Sequence, residues 1–228
     1  MFDRIAGVYD VMNSAMTAGL HHKWRARAAD VADVRPGDKV LDVATGTGDL
    51  AFELASRVKP GGEVVASDFS EQMLVHARKK LAKSGDDNVT FEWADVHQLP
   101  YPDNEFQAAT VGFGARNYGD LVKGISEMTR VIKPGGKVVI LEITTPTKAP
   151  LSTFYGLWFD RIVPIIGKVA GDSDAYEYLP NSVKRFPAPE GLGAAMEQAG
   201  LTKIKWILTA GGIIAIHVGE KPGAGSRD

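Results

Sequence analysis

The stretch Lys39-Val-Leu-Asp-Val-Ala-Thr-Gly-Thr-Gly-Asp-Leu50 decides the fold, because an apolar strand leads directly into a Gly-Thr-Gly turn that opens a helix. Glycines in such a turn let the backbone approach a ligand closely, since they lack a Cβ atom and tolerate left-handed backbone angles. In an open α/β sheet this turn lies at the carboxyl edge of the strands, where ligands bind. The stretch therefore predicts a site for an adenosyl ligand.

The glycine turn is followed by a second acidic residue at an informative distance. Asp42 to Gly48 fit the acidic-x-G-x-G-x-G pattern of S-adenosylmethionine (SAM) methyltransferases, with Ala44 at the first glycine position and Gly46 at the second. The next predicted strand ends at Asp68, about 20 residues after Gly48, where a carboxylate can accept hydrogen bonds from a ribose diol. A plain strand-to-helix turn with a surface aspartate is the alternative, and the pairing of the two features favours SAM.

The same turn also fits a different enzyme class. Gly46-Thr-Gly-Asp-Leu-Ala51 reads as G-x-G-x-x-A, which would suit the nicotinamide dinucleotide of a dehydrogenase. Such a fold normally places this fingerprint near the chain start and adds a second mononucleotide half. Here about 38 residues precede the first strand and the chain closes with a predicted hairpin, so the dehydrogenase is the weaker hypothesis.

Length and composition indicate one enzyme-sized domain without a nucleic-acid or metal partner. The 228 residues suit a single α/β domain over 1–222, with an N-terminal helical cover at 1–35, a substrate-covering insertion at 145–188 and a disordered tail at 223–228. Lys and Arg total 26 against 28 Asp and Glu, so no positive field favours nucleic acid. There are no cysteines, and the five histidines show no metal-ligand spacing.

The N-terminus carries charges where a secretion signal would need an apolar run, and the longest apolar runs have strand length. We therefore expect a cytoplasmic protein without a membrane-spanning helix.

Strands and helices are predicted to alternate after the first two strands. Helices are expected near 71–82, 120–131 and 189–199, strands near 89–93, 106–111 and 137–143, and a turn at 133–136. Two further strands, 203–208 and 213–218, flank Ala210-Gly-Gly212 as a hairpin. This pattern predicts the Rossmann-like α/β fold of class I SAM-dependent methyltransferases: a seven-stranded, mostly parallel sheet with a C-terminal antiparallel hairpin and helices on both faces.

Several strings outside the glycine turn are more specific than the turn itself. They are Phe2-Asp-Arg-Ile-Ala-Gly-Val-Tyr-Asp10, Lys23-Trp-Arg25, Asp68-Phe-Ser-Glu-Gln-Met-Leu74, Ala94-Asp-Val96, Phe113-Gly-Ala-Arg-Asn117, Glu127-Met-Thr-Arg-Val-Ile-Lys-Pro-Gly-Gly136, Tyr176-Glu-Tyr-Leu-Pro180 and His217-Val-Gly219. Together they resemble the C-methyltransferase family of menaquinone and ubiquinone biosynthesis, over about residues 2 to 222. The resemblance implies SAM as cofactor and a prenylated quinol as substrate.

The resemblance also implies where the cofactor would bind. Its contacts fall on Thr47 in the glycine turn, on Asp68 at the ribose, and on Asp95 and Val96 beside the adenine. A carboxylate can accept from the adenine amino group while a backbone N–H donates to the ring, although an aspartate there could instead cap a turn. With the loop residues, the predicted cofactor-binding set is Asp42, Gly46, Thr47, Gly48, Asp68, Asp95, Val96 and Gly112, the last through its backbone.

Arg116 and Asn117 are the predicted catalytic residues, because they follow the fourth strand on the loop that faces the transferred methyl group. They would orient the quinol or a water that takes its proton. The alternative is structural: Arg116 pairs with a carboxylate and Asn117 caps the helix that begins near residue 120. Tyr9, Tyr176, Tyr178 and His217 are further candidates for a pocket lid, for which packing is the favoured interpretation.

The implied reaction is methylation of a ring carbon, demethylmenaquinol to menaquinol. A benzoquinol of ubiquinone biosynthesis is the alternative, and a non-catalytic adenosyl-binding protein is a minor one. The apolar segment 151–170 could line a groove for the prenyl chain or touch the inner face of the membrane as a peripheral protein does; the alternative is a helix that packs on the core or on the second subunit of a homodimer.

Overall fold

A mixed sheet of seven strands is the centre of the computed structural model, which describes residues 19–146 and 182–223. The strands are β1 (Lys39–Val43), β2 (Glu63–Asp68), β3 (Val89–Trp93), β4 (Phe106–Gly112), β5 (Ile132–Ile143), β6 (Thr202–Thr209) and β7 (Ile214–Glu220). Their order is β3-β2-β1-β4-β5-β7-β6. The pairs among β1 to β5 are parallel, and β7 lies antiparallel between β5 and β6. The predicted fold class is confirmed.

Five helices of eight or more residues accompany this sheet within the described residues: α1 (Leu20–Ala32), α2 (Asp49–Val58), α3 (Glu71–Ser84), α4 (Leu121–Val131) and α5 (Pro189–Gln198). Local signals fix their ends. The Ser70 hydroxyl accepts from Met73 N–H at 3.3 Å to begin α3, and Gly85, at φ +73°, ends it. Asp120 caps α4 by accepting from Lys123 N–H at 2.9 Å. The alternative in which Asn117 is that cap is therefore wrong.

The core lies on both faces of the sheet, which explains the unbroken apolar runs in its strands. Alternate side chains of one strand enter two separate clusters: Val40 packs on one face and Leu41 on the other, and Val139 and Ile140 do the same in β5. All four are completely buried. A parallel strand covered on both faces needs apolar residues at every position.

Strand β5 starts earlier than the sequence predicts. Its first residue is Ile132, so the expected turn at 133–136 is an irregularity inside the strand, between the pairs Phe106–Ile132 and Ala108–Lys137. A Cβ atom on Gly136 would lie 2.6 Å from the Gln107 carbonyl oxygen. Gly136 therefore permits a close approach of two backbones inside the strand. Glycine is also common in turns, which is why the sequence predicts a turn here.

Some predictions fall wholly or partly outside the described residues. These are residues 1–18 of the N-terminal cover, most of the insertion (147–181) with its apolar segment 151–170, the tail from 224, and the tyrosines at 9, 176 and 178. The extent of the single domain stays a prediction. In the described part of the chain, no helix combines the length and apolarity needed to cross a membrane.

Candidate active site

A cavity of about 330 Å³ opens at the carboxyl edge of the sheet. Its wall comes from the ends of β1, β2 and β4, the loops after β1 to β4, the first turns of α2 and α3, and one residue of α1. The lining residues are Arg25, Asp42, Val43, Ala44, Thr45, Gly46, Thr47, Asp49, Leu50, Asp68, Phe69, Ser70, Met73, Ala94, Asp95, Val96, His97, Gly112, Phe113, Gly114, Asn117 and Tyr118. Polar groups therefore converge in a concave site of the size that binds small molecules.

The glycine turn after β1 has three residues with left-handed backbone angles: Ala44 (φ +49°), Gly46 (φ +59°) and Gly48 (φ +89°). A Cβ atom on Gly46 would meet nothing within 4 Å, so this glycine leaves open space on the cavity side. A Cβ atom on Gly48 would lie 2.7 Å from the Phe91 ring. Gly48 therefore serves close packing and helix entry, and it does not line the cavity.

The Asp68 carboxylate is held in place by two backbone donors. Gly46 N–H donates to Oδ2 at 2.8 Å and Ser70 N–H donates to Oδ1 at 2.8 Å. Asp68 thus ties the glycine turn to the start of α3 while it faces the cavity. A carboxylate oxygen can accept more than one hydrogen bond, so these donors fix an orientation in which Asp68 can also accept from a ligand's hydroxyl groups.

Asp42 is completely buried at the end of β1. Its two oxygens accept from the hydroxyl groups of Thr45 and Thr110, each at 2.6 Å. Burial raises the pKa of Asp42 to about 6, because it penalises the charge more than the threonine hydrogen bonds and nearby Arg25 favour it. Asp42 is therefore a carboxyl group poised to gain from a cation in the cavity.

The loop after β3 is braced by a histidine that the sequence analysis did not single out. His97 Nδ1 lies 2.7 Å from Asp95 Oδ1, and His97 Nε2 accepts from Asp120 N–H at 3.2 Å. Since Nε2 must be an acceptor, the neutral ring carries its proton on Nδ1 and donates it to Asp95. The His97 backbone N–H also donates to Asp95 at 2.9 Å, so the capping interpretation of Asp95 holds while Asp95 also lines the cavity.

Arg116 follows β4 as predicted, and its guanidinium meets a carboxylate. Nη1 lies 2.6 Å from Glu142 Oε1 at the end of β5 and donates to the Phe113 carbonyl oxygen at 2.5 Å. The side chains of Arg116 and Glu142 are 8% and 1% exposed, so the pair is buried. Arg116 does not belong to the cavity wall, whereas its neighbour Asn117 does.

Tyr118 completes this side of the cavity. Its ring packs so closely on α4 that a Cβ atom on Gly124 would lie 2.7 Å from it. Burial raises the pKa of Tyr118 well above its ordinary value, and the carboxylates of Asp42, Asp68 and Glu142 act in the same direction. Tyr118 is therefore a protonated phenol at neutral pH, and its hydroxyl donates to Met128 Sδ at 4.0 Å.

A charged cluster lies where α1 meets the start of α2. Arg25 Nη1 is 3.3 Å from Asp49 Oδ2, and Lys80 Nζ is 2.8 Å from Asp49 Oδ1 and donates to the Thr47 hydroxyl at 2.8 Å. Burial works against ionisation of Asp49, but Arg25 and Lys80 outweigh it and hold the pKa of Asp49 below its ordinary value. The sequence analysis quoted Arg25 in a motif without giving it a role.

Most of the predicted site residues come together in this cavity. Its wall includes Asp42, Gly46, Thr47, Asp68, Asp95, Val96, Gly112 and Asn117 from the predicted set, and leaves out Gly48 and Arg116. The lid candidate His217 lies elsewhere in the described chain. It is buried in β7, where Nε2 is 2.9 Å from the Pro189 carbonyl oxygen and the ring stacks on Trp206 at 5.6 Å between centroids. His217 therefore packs the core.

Comparison with known proteins assigns the chain to a family. The model of the ubiE/COQ5 methyltransferase family matches residues 1–221. The chain belongs to the ubiE/COQ5 methyltransferase family. It is 44% identical over 223 residues to the demethylmenaquinone methyltransferase of Thermus thermophilus, an alignment that covers 97% of this chain and 100% of that protein.

Another member of the ubiE/COQ5 family is similar over the same span. The ubiquinone/menaquinone biosynthesis C-methyltransferase UbiE of Saccharophagus degradans is 42% identical, with 97% of this chain and 90% of that protein covered. A SAM-dependent methyltransferase of Aquifex aeolicus shares the fold at a TM-score of 0.64 and 21% identity, covering 86% of this chain and 88% of that one. The chain is a SAM-dependent methyltransferase.

Proposed function

We propose that this ubiE/COQ5 family member methylates a ring carbon of a prenylated naphthoquinol, converting demethylmenaquinol to menaquinol. The observation that carries the proposal is the 44% identity to a demethylmenaquinone methyltransferase over its whole length. A second relative with that name, from Desulfitobacterium hafniense, is 42% identical over 97% of the chain. Local sequence agrees, because the turn Ala44-Thr-Gly-Thr-Gly48 resembles the menaquinone-side members.

The cofactor is proposed to lie along the strand ends, from β3 towards β4. Asp95 and Val96 would hold the adenine, and the Asp68 carboxylate, which Gly46 and Ser70 hold in place, would accept from the ribose diol. The open space at Gly46 admits the chain that links ribose to sulfur. Asp42, which lines the cavity between these residues and β4, would favour the positive sulfonium through its charge.

When bound, SAM supplies a methyl group on a sulfonium, which an electron-rich carbon can attack in line. The residues of the chain align carbon and methyl group and favour negative charge on the quinol oxygen, which raises electron density at the attacking carbon. Asn117 lines the cavity, and we assign its amide to orienting that oxygen or the water that takes its proton. Tyr118 lines the same wall with its ring, since its hydroxyl donates to the buried Met128 Sδ at 4.0 Å.

Arg116 is proposed to act through its neighbours. Its buried ion pair with Glu142 and its hydrogen bond to the Phe113 carbonyl fix the short 3₁₀ turn Ala115–Asn117, and thereby aim Asn117 at the cavity. This proposal gives Arg116 a positioning role, in place of the direct contact with the quinol that the sequence favoured.

A benzoquinol of ubiquinone biosynthesis is the second candidate substrate, because the relative from Saccharophagus degradans is named for both quinones. In either case a polyprenyl chain partitions into the bilayer, so we propose that the enzyme meets its substrate at the inner face of the membrane from the cytoplasm. Peripheral membrane contact and a homodimer both belong to this proposal.

The experiment is a methyl-transfer assay with isotopically labelled SAM and chemically reduced quinols. Demethylmenaquinol and a prenylated benzoquinol that lacks the ring methyl are offered separately and together, each with an oxidised control that lacks the electron density to attack. Labelled menaquinol as the main product supports the proposal. Preferential methylation of the benzoquinol in competition would assign the protein to ubiquinone biosynthesis. SAM binding without methylation of either ring would indicate a non-catalytic protein.

A further inference from the structure

Arg25 places a guanidinium in the wall of the cavity. Among the described residues that line the cavity it is the only lysine or arginine, whereas four carboxylates, those of Asp42, Asp49, Asp68 and Asp95, line the same space. Arg25 reaches this position from α1 and is only 5% exposed. Because a guanidinium withdrawn from water needs anionic or hydrogen-bonding partners, its position in a cavity wall requires an explanation.

Arg25 shares its counter-ion, Asp49, with a second cation, Lys80. Lys80 holds Oδ1 of Asp49 at 2.8 Å, while Arg25 Nη1 approaches Oδ2 at 3.3 Å. Two cations therefore share one carboxylate, and the cluster of these three side chains has a net positive charge. The longer contact marks Arg25 as the less fully paired of the two.

The unused donors of Arg25 are on one side of the guanidinium. Both side-chain contacts, to Asp49 and to His21 Nδ1, use Nη1. Within the described residues no hydrogen bond engages Nη2 or Nε. The group lies 5.5 Å from the centroid of the Phe113 ring, which restricts its plane. A planar guanidinium with adjacent free N–H groups matches the two oxygens of a carboxylate.

The direction of the cofactor brings such a carboxylate to this place. With adenine at Asp95 beyond β3 and ribose at Asp68 beyond β2, the rest of the molecule extends past β1 towards β4, where Phe113 and Arg25 lie. The sulfonium and ammonium of SAM are cations that suit the acidic wall, and its α-carboxylate is the one anionic group. We propose that Arg25 binds this α-carboxylate, an inference that rests on the proposed placement of ribose at Asp68.

The test compares two ligands that differ in this group. S-adenosylhomocysteine has the α-carboxylate, whereas 5′-methylthioadenosine shares its nucleoside and sulfur and lacks the amino-acid part. Calorimetry measures both on the wild type and on Arg25→Met. We expect the variant to bind S-adenosylhomocysteine about 10- to 100-fold more weakly, as for loss of charged hydrogen bonds, and to bind 5′-methylthioadenosine within about twofold of the wild type.

Two further variants separate this role from a general effect of charge or folding. Arg27→Met removes the same charge from an exposed position of the same helix and should leave both affinities unchanged. Arg25→Lys keeps the positive charge but lacks the paired N–H donors of the guanidinium, so it should recover part of the lost affinity for S-adenosylhomocysteine. An equal loss for both ligands would make Arg25 a structural residue, and unchanged affinity for S-adenosylhomocysteine would overturn the proposal.

A wild-type measurement keeps the proposal open to refutation if Arg25→Met does not fold. Decarboxylated SAM retains the sulfonium and the amine, so it should bind at least about tenfold more weakly than SAM itself. Equal affinities would overturn the proposal. Failure of the wild type to bind S-adenosylhomocysteine at all would instead overturn the cofactor placement on which the inference rests.

Discussion

Asp68 combines two tasks in one carboxylate, because the backbone donors of Gly46 and Ser70 fix its orientation and it lines the cavity. Asp68→Ala should therefore weaken SAM binding by roughly 2–4 kcal/mol, because two hydrogen bonds to a charged acceptor contribute about 1.5–3 kcal/mol each and part of their loss is compensated. Titration calorimetry measures the change. Asp87→Ala, which removes a carboxylate that is 90% exposed, is the control. Unaltered SAM affinity in Asp68→Ala would refute the ribose assignment.

Ala44 and Gly114 pack so closely that the Ala44 methyl group leaves no room for a side chain at position 114. Ala44 occupies the first glycine position of the turn with φ +49°, and a Cβ atom on Gly114 would lie 2.7 Å from the Ala44 Cβ. Gly114→Ala should therefore lower the free energy of unfolding by about 1–3 kcal/mol through overpacking. Ala44→Gly removes the opposing methyl group and relieves the left-handed conformation.

A double-mutant cycle followed by urea denaturation measures this dependence. In the Ala44→Gly background the effect of Gly114→Ala should shrink by about 0.5–2 kcal/mol, the range found for residues in direct contact. Recovery should be incomplete, because the Val111 Cγ2 atom would still lie 3.1 Å from the new Cβ. Strictly additive effects would mean that the turn moves away from Gly114 and that the close packing described above is not required.

At the scale of elements, the 3₁₀ turn Ala115–Asn117 depends on the end of β5. Glu142 accepts from Arg116 Nη1 at 2.6 Å, from Arg116 N–H at 3.2 Å and from Ile143 N–H at 2.8 Å. Arg116→Met leaves a buried carboxylate without its counter-ion, so it should destabilise the protein by about 3–5 kcal/mol and lower kcat. Adding Glu142→Gln neutralises that carboxylate while keeping an acceptor for the backbone.

The double variant decides how Arg116 contributes. If Arg116 positions the turn, Arg116→Met/Glu142→Gln should recover both melting temperature and at least about tenfold in kcat relative to Arg116→Met, because the uncompensated charge is gone. Glu142→Gln alone is the reference for the effect of the amide. If the melting temperature recovers and turnover does not, the result would show that the Arg116 guanidinium contacts the quinol directly.

The same elements show how far sequence reasoning reaches. Asp42, Asp68 and Asp95 lie at or just after the ends of β1, β2 and β3, and consecutive parallel strands must end at one edge, so their convergence is predictable. The pairing of Arg116 with Glu142 is not, because it joins residues that are 26 apart and depends on the register of β4 against β5.

Arg25 and Gly48 mark two further limits of the sequence. The docking of α1 that brings Arg25 to the cavity is a tertiary contact without a local signal. Gly48 fits the glycine pattern as a ligand residue, yet the neighbour that requires it is the Phe91 ring of β3. A motif identifies the residue type that a position needs, and only the packing identifies the neighbour that imposes the need.

At the scale of the whole molecule, Asp42 links cofactor binding to pH. Burial raises the pKa of Asp42 to about 6, so the stability contributed by its neutral form is present at low pH and is lost as the pH rises through about 6. Arg25 favours the charged form of Asp42, and Asp68 opposes it. A sulfonium beside Asp42 also favours the charged form, so SAM should bind more tightly as the pH rises from 5 to 7.

S-adenosylhomocysteine is the matched control for this linkage, because its sulfur carries no charge. The ratio of the two dissociation constants, measured at several pH values, should change by up to about tenfold in favour of SAM between pH 5 and 7. Asp42→Asn should flatten the profile. A ratio that does not depend on pH would show that the sulfonium lies away from Asp42.

The hydrogen bond from Thr110 to Asp42 joins β4 to β1, two strands that are adjacent in the sheet and distant along the chain. Strands β1 to β3 form one block of consecutive units and β4 with β5 another, so pairing β1 with β4 is a non-local step of assembly, as is pairing β5 with β7, and non-local pairing slows folding. The cavity spans this boundary, since its wall draws on both blocks. A bound cofactor contacts both blocks only when they are paired, so it should prolong the lifetime of the native state chiefly by slowing unfolding.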